Sequence, residues 1–143
     1  MSETFVADAS VAIAWSTESQ ASPATDLLLD GLYRGNLVIV PVLWRQEVSN
    51  ALLMLLRRKK LTRREWLDGL ELLDVLPVVV DNHAEKIALT SLAHLADETG
   101  LTVYDAAYLE LAKRKRIPLA SRDIALNKAC LAAGVEVMKL AAT

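Results

Sequence analysis

Residues 4–15 decide the fold, and they read TFVADASVAIAW. The first four residues, TFVA, form a short apolar run of the kind found in buried strands, and the run stops at Asp8. The residues from Ser10 onward favour a turn or a short helix. Asp8 is therefore expected at the carboxyl end of a strand, which is the edge where open α/β sheets bind their ligands.

The rest of the chain alternates between apolar runs and segments of helical periodicity. Further strands are predicted at residues 37–40, 76–80, 117–120 and 135–138. Helices are predicted at residues 23–33, 42–60, 63–74, 83–99, from 102 or 103 to the KRKR segment at 113–116, and at 121–134. Alternating strands and helices indicate an α/β fold with a parallel sheet and helices on both of its faces.

The size and composition of the chain indicate one domain, taken as residues 1–143. Hydrophobic residues make up 53% of the sequence, and only five glycines and four prolines interrupt it, which favours a helix-rich fold with short connections. Because this apolar share exceeds the usual one, we expect a second subunit or another protein to cover some apolar side chains.

Three features predict a cytoplasmic protein without membrane association. The amino-terminal segment has no basic region and carries acids at Glu3 and Asp8, unlike a secretory signal. No apolar run approaches the length that crosses a bilayer. Cys130 is the single cysteine, which excludes an intrachain disulfide and a cysteine-rich zinc site.

Two aspartates stand where strands are predicted to end. Asp8 follows the run TFVA, and Asp123 follows the run IPLA within the tripeptide SRD. The alternative role for Asp8 is to cap the helix that follows it. Ser121 is the more natural cap of the helix after the second run, which leaves Asp123 available for another role.

Glu47 breaks the apolar pattern of its predicted helix. Residues three and four positions away include Trp44 and Ala51, so the carboxylate is expected on the apolar stripe. The alternative is an ion pair with Arg45 or Arg57 at the edge of that stripe.

Asp105 repeats the anomaly, because Tyr108, Leu109 and Ala112 share its face of the helix. Its place in the first turn also suits an acid that interacts with the helix dipole. A buried carboxylate is costly unless it is paired or binds a metal, so one shared cause explains all four acids better than four separate causes. Since Mg²⁺ and Mn²⁺ prefer oxygen ligands, the four acids predict a site for a divalent metal.

The positive charges are concentrated in two segments, although the formal net charge is −2. Residues 57–64 read RRKKLTRR, and residues 113–116 read KRKR. Clusters of this kind can bind phosphates even on an acidic protein, whereas the alternative is two solvated helix ends. The candidate nucleic-acid contacts are Arg57, Arg58, Lys59, Lys60 and Arg122.

Three segments and the helix that follows the last of them carry a resemblance to a known family, and the likeness spans nearly the whole chain. The three segments read VADASVAIAW, PVLWRQEVSNALL and LTVYDAAYLELAKRKRIPLASRD. The sequence resembles the PIN-domain ribonucleases and, more closely, the VapC-type toxins of toxin–antitoxin pairs. The resemblance places the family's acidic residues on Asp8, Glu47, Asp105 and Asp123, and its small hydroxyl residues on Ser10 and Ser121.

The resemblance also implies a PIN-like three-layer α/β fold, with a central parallel sheet of about four to five strands flanked by helices. It implies single-strand-selective RNA cleavage that depends on Mg²⁺ or Mn²⁺, a homodimer, and inhibition by an antitoxin whose tail occupies the active-site groove. In this hypothesis Asp8, Asp105 and Asp123 hold the first metal ion, while Glu47 positions a second ion or the attacking water. The two serines would donate hydrogen bonds to the ligands.

Two other functions are compatible with the acids. An acid-cluster phosphatase or a response-regulator-like phosphoacceptor also uses strand-end aspartates with Mg²⁺, but the motif DAS at 8–10 lacks the DxD or leading DD expected there. A catalytically inactive interaction module is the second alternative, and the presence of all four acids argues against it. His83 and His94 lack the i, i+4 spacing of a helical zinc site, and Trp15 and Trp44 are expected to pack in the core.

Overall fold

A parallel sheet forms the centre of the fold. The computed structural model describes residues 2–83, 87 and 89–140. Within them the strands are β1 (Thr4–Ala7), β2 (Leu37–Pro41), β3 (Val78–Asp81) and β4 (Leu119–Ala120). They pair in parallel in the order β3-β2-β1-β4, which confirms the predicted α/β fold with a parallel sheet.

Helices flank the sheet on both faces. They are α1 (Ala9–Ser16), α2 (Pro23–Tyr33), α3 (Trp44–Arg57), α4 (Arg63–Val75), α5 (Leu89–Thr99), α6 (Val103–Lys115) and α7 (Ile124–Ala132), and a 3₁₀ turn lies at Glu18–Gln20. Since crossovers between parallel strands are right-handed, α1 to α4 lie on one face, and α5 and α6 lie on the other. No helix in the described part of the chain combines the length and the apolar character that crossing a membrane requires.

The core is built around β1, which lies between two neighbouring strands. Phe5, Val6 and Ala7 are fully buried, as are Val38 and Val40 of β2. Continuous apolar strands are typical of a parallel sheet that is covered on both faces. The sheet therefore positions whatever follows each strand at its carboxyl edge, and helix α6 packs across β1, β2 and β4 to reach the same edge.

Helix ends agree with the prediction at α4 and differ at α3. Helix α4 begins with the predicted capping box, in which Thr62 and Glu65 bond to each other's backbone amides. Helix α3 is shorter than the predicted range 42–60. It ends early because Lys59 has a left-handed φ of 60°, a conformation that terminates helices.

Two predicted strands differ from the observed structure. The strand predicted at 76–80 corresponds to β3, which starts at Val78 because the preceding proline has no amide hydrogen for the ladder. Residues 135–138 were expected to form a last strand, but they contribute one isolated parallel bridge between Val137 and Leu119. The described sheet therefore has four strands.

Two predicted helices begin later than expected. Helix α5 begins at Leu89, and residues 84–86 and 88 of the predicted helix lie outside the described residues. Helix α7 has Asp123 as its N-cap, so the prediction that Ser121 caps this helix is wrong. The hydroxyl of Ser121 has a different partner, at the carboxyl edge of the sheet.

Candidate metal centre

Asp8 is the buried member of the acid set, and it directly follows β1. Its Oδ1 accepts hydrogen bonds from the Ser10 hydroxyl at 2.5 Å and from the backbone amides of Ser10 and Val11. Its Oδ2 accepts from the Ser121 hydroxyl at 2.5 Å. Asp8 therefore caps α1, as the alternative interpretation expected, and it also joins β1 to the loop that follows β4.

Burial has a larger effect on the pKa of Asp8 than its hydrogen bonds do. Burial raises the pKa of Asp8 above its ordinary value, although the hydroxyls of Ser10 and Ser121 oppose this increase. The ionised carboxylate is therefore less stable here than in water, even with its hydrogen bonds formed. A cation at this position would remove that cost.

The loop after β4 brings a second acid next to Asp8. The Ser121 hydroxyl donates to Asp8 and accepts a hydrogen bond from the Asp123 amide at 3.0 Å. Asp123 is half-buried and its Oδ1 accepts from the Leu126 amide at 3.1 Å, which caps α7. A single serine hydroxyl therefore links the two strand-end aspartates.

Glu47 lies in the first turn of α3 and is half-buried. Its Oε1 accepts a hydrogen bond of 2.6 Å from the hydroxyl of Tyr108 in α6. The alternative in which Glu47 pairs with Arg45 or Arg57 is wrong, because Arg45 pairs with Asp74 at 3.2 Å and the ion pairs of the described residues include neither Glu47 nor Arg57. The contact with Tyr108 connects helices that lie on opposite faces of the sheet.

Asp105 lies in the first turn of α6, where its side chain is not needed as a cap. Thr102 is the N-cap, and its hydroxyl accepts a hydrogen bond from the Asp105 amide at 3.1 Å. The carboxylate of Asp105 is half-buried. It is therefore available for contacts at the carboxyl edge.

Electrostatic repulsion links the four acids into one set. Burial raises the pKa of Glu47, and the carboxylates of Asp105 and Asp8 raise it further. Burial also raises the pKa of Asp105, with an added contribution from the carboxylate of Asp123. Carboxylates that are far apart in the sequence thus raise the pKa of Glu47 and of Asp105, as neighbouring carboxylates do.

The donor chemistry of this set fits a hard divalent cation. In the described part of the chain the ion pairs are Arg45–Asp74, Arg64–Asp68, Arg114–Asp81 and Arg114–Glu110, so a basic side chain neutralises none of the four acids. Among the residues described, no group of three or more His, Cys, Asp or Glu side chains is arranged so that it could hold one metal ion.

The candidate nucleic-acid contacts fall into two places. The backbone amide of Arg122 donates to the Ser10 hydroxyl at 2.9 Å, and its guanidinium donates to the carbonyl oxygen of Gln20 at 2.7 Å, so this residue lies beside the acids. Residues 57–60 are exposed at the far end of α3. With a helical rise of 1.5 Å per residue, Arg57 lies about 15 Å along the axis from Glu47.

Tyr108 is the site residue that the sequence did not identify as functional. On the helical pattern it reads as one more member of the apolar face shared with Asp105. Its ring does pack in the core, with 1% of the residue exposed, and only the hydroxyl reaches the acids. The spacing of three residues from Asp105 was the available signal, because it places both side chains on the same side of α6.

The two tryptophans considered from the sequence, Trp15 and Trp44, pack in the core as expected. Trp15 is buried, donates its indole N–H to the carbonyl of Thr25 at 2.9 Å, and packs edge-on against Phe5. Trp44 is also buried.

Burial and the nearby Asp8 carboxylate raise the pKa of the Cys130 thiol to about 12, which makes it a poor nucleophile.

Comparison with known proteins identifies relatives at the level of family and fold. The family model described as PIN domain matches residues 5–131. No curated protein matches the chain. Similar solved structures include PAE2754 from Pyrobaculum aerophilum, which has 23% sequence identity and a TM-score of 0.65, over 96% of this chain and 92% of that one.

Two further structures have the same fold at lower identity. FitAcB from Neisseria gonorrhoeae has 18% identity and a TM-score of 0.64, over 94% of this chain and 96% of that one. The structure of VapBC2 from Rickettsia felis bound to a DNA fragment from its promoter has 11% identity and a TM-score of 0.64, over 94% of this chain and 97% of that one. At these identities the likeness establishes the fold alone.

Proposed function

This chain belongs to the PIN domain family, and on that premise we propose that it is an endoribonuclease that hydrolyses RNA phosphodiester bonds with Mg²⁺ or Mn²⁺. Proteins of this family are generally nucleases that depend on divalent metal. One observation carries the proposal. Four acids from separate elements meet at the carboxyl edge of the sheet, where the neighbouring carboxylates raise the pKa of Glu47 and of Asp105, and none of the four forms an ion pair with a basic side chain among the described residues.

The proposed metal ligands are Asp8, Asp105 and Asp123, with Glu47 positioning a second ion or the attacking water. A bound divalent ion would lower the pKa of a water molecule and neutralise charge on the phosphate. The protein's own contribution is to hold its carboxylates in place. Two serine hydroxyls fix both oxygens of Asp8, which keeps this acid from rotating away from the site.

RNA must be attracted to an edge that is itself negative. We propose that Arg122 contacts phosphate close to the acids, because its backbone bonds to Ser10. Residues 57–60 would contact phosphates farther along the strand. Since stacked nucleotides rise about 3.4 Å each, a separation of about 15 Å corresponds to four or five nucleotides.

We further propose that the protein is the toxin of a type II toxin–antitoxin pair and acts in the cytoplasm. The structural neighbours FitAcB and VapBC2 support an antitoxin as the partner. In this proposal a tail of the antitoxin occupies the groove over the acids and excludes RNA from it. The chain itself would form a homodimer, which the exposed apolar side chains of α5 and α6 support.

Incubation of the pure protein with single-stranded and structured RNA in the presence of Mn²⁺ tests the activity. Wild type is expected to cut internal phosphodiester bonds, and Asp8→Asn should cut them at least about 100-fold more slowly, since loss of a residue that only orients a ligand already costs about 10- to 100-fold. Asp30→Asn is the matched control, because Asp30 is an exposed aspartate on α2. It should cut like wild type.

The alternatives predict different products in the same experiment. A phosphoacceptor or phosphatase would transfer or release phosphate and leave the RNA strand intact. An inactive interaction module would leave both RNA and phosphate donors unchanged at every Mn²⁺ concentration. Either result would overturn the nuclease proposal.

A further inference from the structure

Building on the proposed function, we propose that Tyr108 is a positioning residue that holds one carboxylate oxygen of Glu47 and leaves the other oxygen to the metal site. The contact is a hydrogen bond of 2.6 Å from the Tyr108 hydroxyl to Oε1 of Glu47. It is formed between residues 61 positions apart in the sequence. It thus depends on the tertiary fold and not on local chain geometry.

Tyr108 provides a fixed point because its ring is part of the core. Only 1% of the residue is exposed, and its neighbours in α6, Leu109 and Ala112, are fully buried. A ring packed in this way cannot move without opening the core around it. The hydroxyl therefore occupies one position at the carboxyl edge, one helical turn after Asp105.

The carboxylate of Glu47 has fewer hydrogen bonds to hold it than that of Asp8. Asp8 is held by two hydroxyls and two backbone amides. Among the described residues, the side chain of Glu47 has a single hydrogen-bond partner, the hydroxyl of Tyr108. A half-buried glutamate has several rotamers open to it, and one bond to a rigid donor selects among them.

The direction of the hydrogen bond is also fixed. A tyrosine hydroxyl ordinarily titrates at about pH 10, so at neutral pH it carries the proton that it donates to Oε1 of Glu47. A protonated phenol donates to a carboxylate and does not compete with it for a cation. Tyr108 thus occupies Oε1 while Oε2 remains free to act as an acceptor or a ligand.

A purely structural role for this bond makes a different prediction. If the carboxylate only satisfies a buried hydroxyl, removal of the hydroxyl changes stability and leaves metal binding as it was. If the hydroxyl positions Glu47, metal binding changes as well. The decisive quantity is therefore the Mn²⁺ affinity of the RNA-free protein.

Tyr108→Phe removes the hydroxyl and keeps the ring, and Tyr33→Phe is the matched control. Tyr33 lies at the end of α2 and is 64% exposed. Mn²⁺ affinity is measured from the electron paramagnetic resonance signal of free Mn²⁺ during a titration, together with kcat and KM for single-stranded RNA. For Tyr108→Phe we expect Mn²⁺ affinity and kcat to fall about 10- to 100-fold with KM unchanged, and for Tyr33→Phe no change.

A double variant of Glu47 and Tyr108 gives a second test of whether the two residues act through one contact. In a Glu47→Gln background, adding Tyr108→Phe should cause no further loss of Mn²⁺ affinity, because the two residues act through one contact. If Tyr108→Phe does not fold, Glu47→Asp replaces it, since its shorter side chain keeps the charge but draws the carboxylate away from the tyrosine hydroxyl. Glu47→Asp should weaken Mn²⁺ binding in the same way.

Wild-type Mn²⁺ affinity in Tyr108→Phe, or in Glu47→Asp if that variant is used, would overturn the inference. This outcome differs from a failure of the proposed function. If the wild-type protein binds Mn²⁺ but does not cut RNA, the nuclease proposal fails while the titration still decides the role of Tyr108. If the wild-type protein does not bind Mn²⁺, both proposals fail.

Discussion

Asp8 is the residue at which burial and hydrogen bonding most directly oppose each other. Four hydrogen bonds favour its ionised form, yet burial raises its pKa. Proteins keep such a group when its charge has a use that folding alone does not require. Asp8 should therefore lower the stability of the metal-free protein at neutral pH.

We predict that Asp8→Asn stabilises the metal-free protein at neutral pH by on the order of 1 kcal/mol. Because the folded-state pKa of Asp8 is raised, the folded protein binds its proton more tightly than the unfolded chain does. Its contribution to stability is present below the unfolded pKa and is lost as the pH rises through the folded pKa. Urea unfolding of wild type and variant between pH 4 and pH 8, in the presence of a chelator, measures the difference.

The control for this prediction is Asp30→Asn, which removes an exposed charge on α2. Its stability relative to wild type should not increase with pH. The prediction is contradicted if Asp8→Asn becomes less stable relative to wild type as the pH rises from 5 to 8.

Individual site residues could be predicted where they break a pattern. Glu47 and Asp105 stand on apolar helix faces, and Asp8 follows an apolar strand, so the sequence alone singled them out. Tyr108 could not be found in this way, because an aromatic ring on an apolar face breaks no pattern. The prediction that Ser121 caps α7 is wrong, and its bond to Asp8, which joins residues 113 positions apart, was expected only from the family resemblance.

At the scale of elements, α3 carries opposite charges at its two ends. Glu47 lies in its first turn, and the basic residues 57–60 lie at its end and beyond. Cations near a helix carboxyl terminus are favourable for the helix itself, so their position has a structural explanation as well as the proposed functional one. The salt dependence of RNA binding distinguishes the functional explanation from the structural one.

Neutralising Arg57, Arg58, Lys59 and Lys60 together should weaken RNA binding and reduce its salt dependence. Each lost contact to single-stranded RNA lowers the slope of log K against log salt by about 0.7, so the slope should fall by up to about 3. Replacing Lys113 and Lys115 by glutamine, at the end of α6, is the control and should change the slope less. An unchanged slope in the fourfold variant would remove these residues from the RNA site.

The end of α3 also stores conformational strain. Lys59 adopts a left-handed φ of 60°, which costs a residue with a Cβ about 1 kcal/mol relative to glycine. Lys59→Gly should therefore raise the free energy of unfolding by up to about 1 kcal/mol, as measured in urea. Lys60→Gly is the control and should give no gain, because φ of Lys60 is not positive.

The order of elements could be predicted better than their limits. Apolar runs and helical periodicity located β1, β2 and α2 closely. A predicted helix end was wrong where a single residue decides it, as at Lys59, whose φ is left-handed. Residues 135–138 have the composition of a strand, but they form one bridge instead of a ladder.

At the scale of the molecule, an apolar cavity lies beside the proposed site. It has a volume of about 620 Å³ and is formed by the start of α3 with parts of α5 and α6. Val42, Leu89 and Tyr104 line it and are exposed. Exposed apolar surface of this kind is typical of an interface, and it matches the apolar excess in the composition.

We predict that Leu89→Glu disrupts the proposed homodimer. Leu89 is 87% exposed in the single chain, so the substitution should not unfold it, whereas a buried glutamate at an interface would be costly. Sedimentation velocity at micromolar concentration should show a wild-type dimer and a Leu89→Glu monomer. Leu27→Glu, at an exposed leucine on α2, is the control and should remain dimeric.

A wild-type monomer in this experiment would contradict the dimer and leave the metal site unaffected. If both variants remained dimeric, the second subunit would have to bind another face of the molecule.

Asp8, Glu47, Asp105 and Asp123 are proposed to form one site for a divalent cation, and anomalous scattering from a crystal soaked in Mn²⁺ shows whether an ion binds there. We expect a manganese peak within coordination distance of at least two of these carboxylates in the wild-type protein, and no peak in Asp8→Asn. A wild-type crystal with no peak there, and with each carboxylate still bonded only to its own serine, tyrosine or backbone partners, would contradict it.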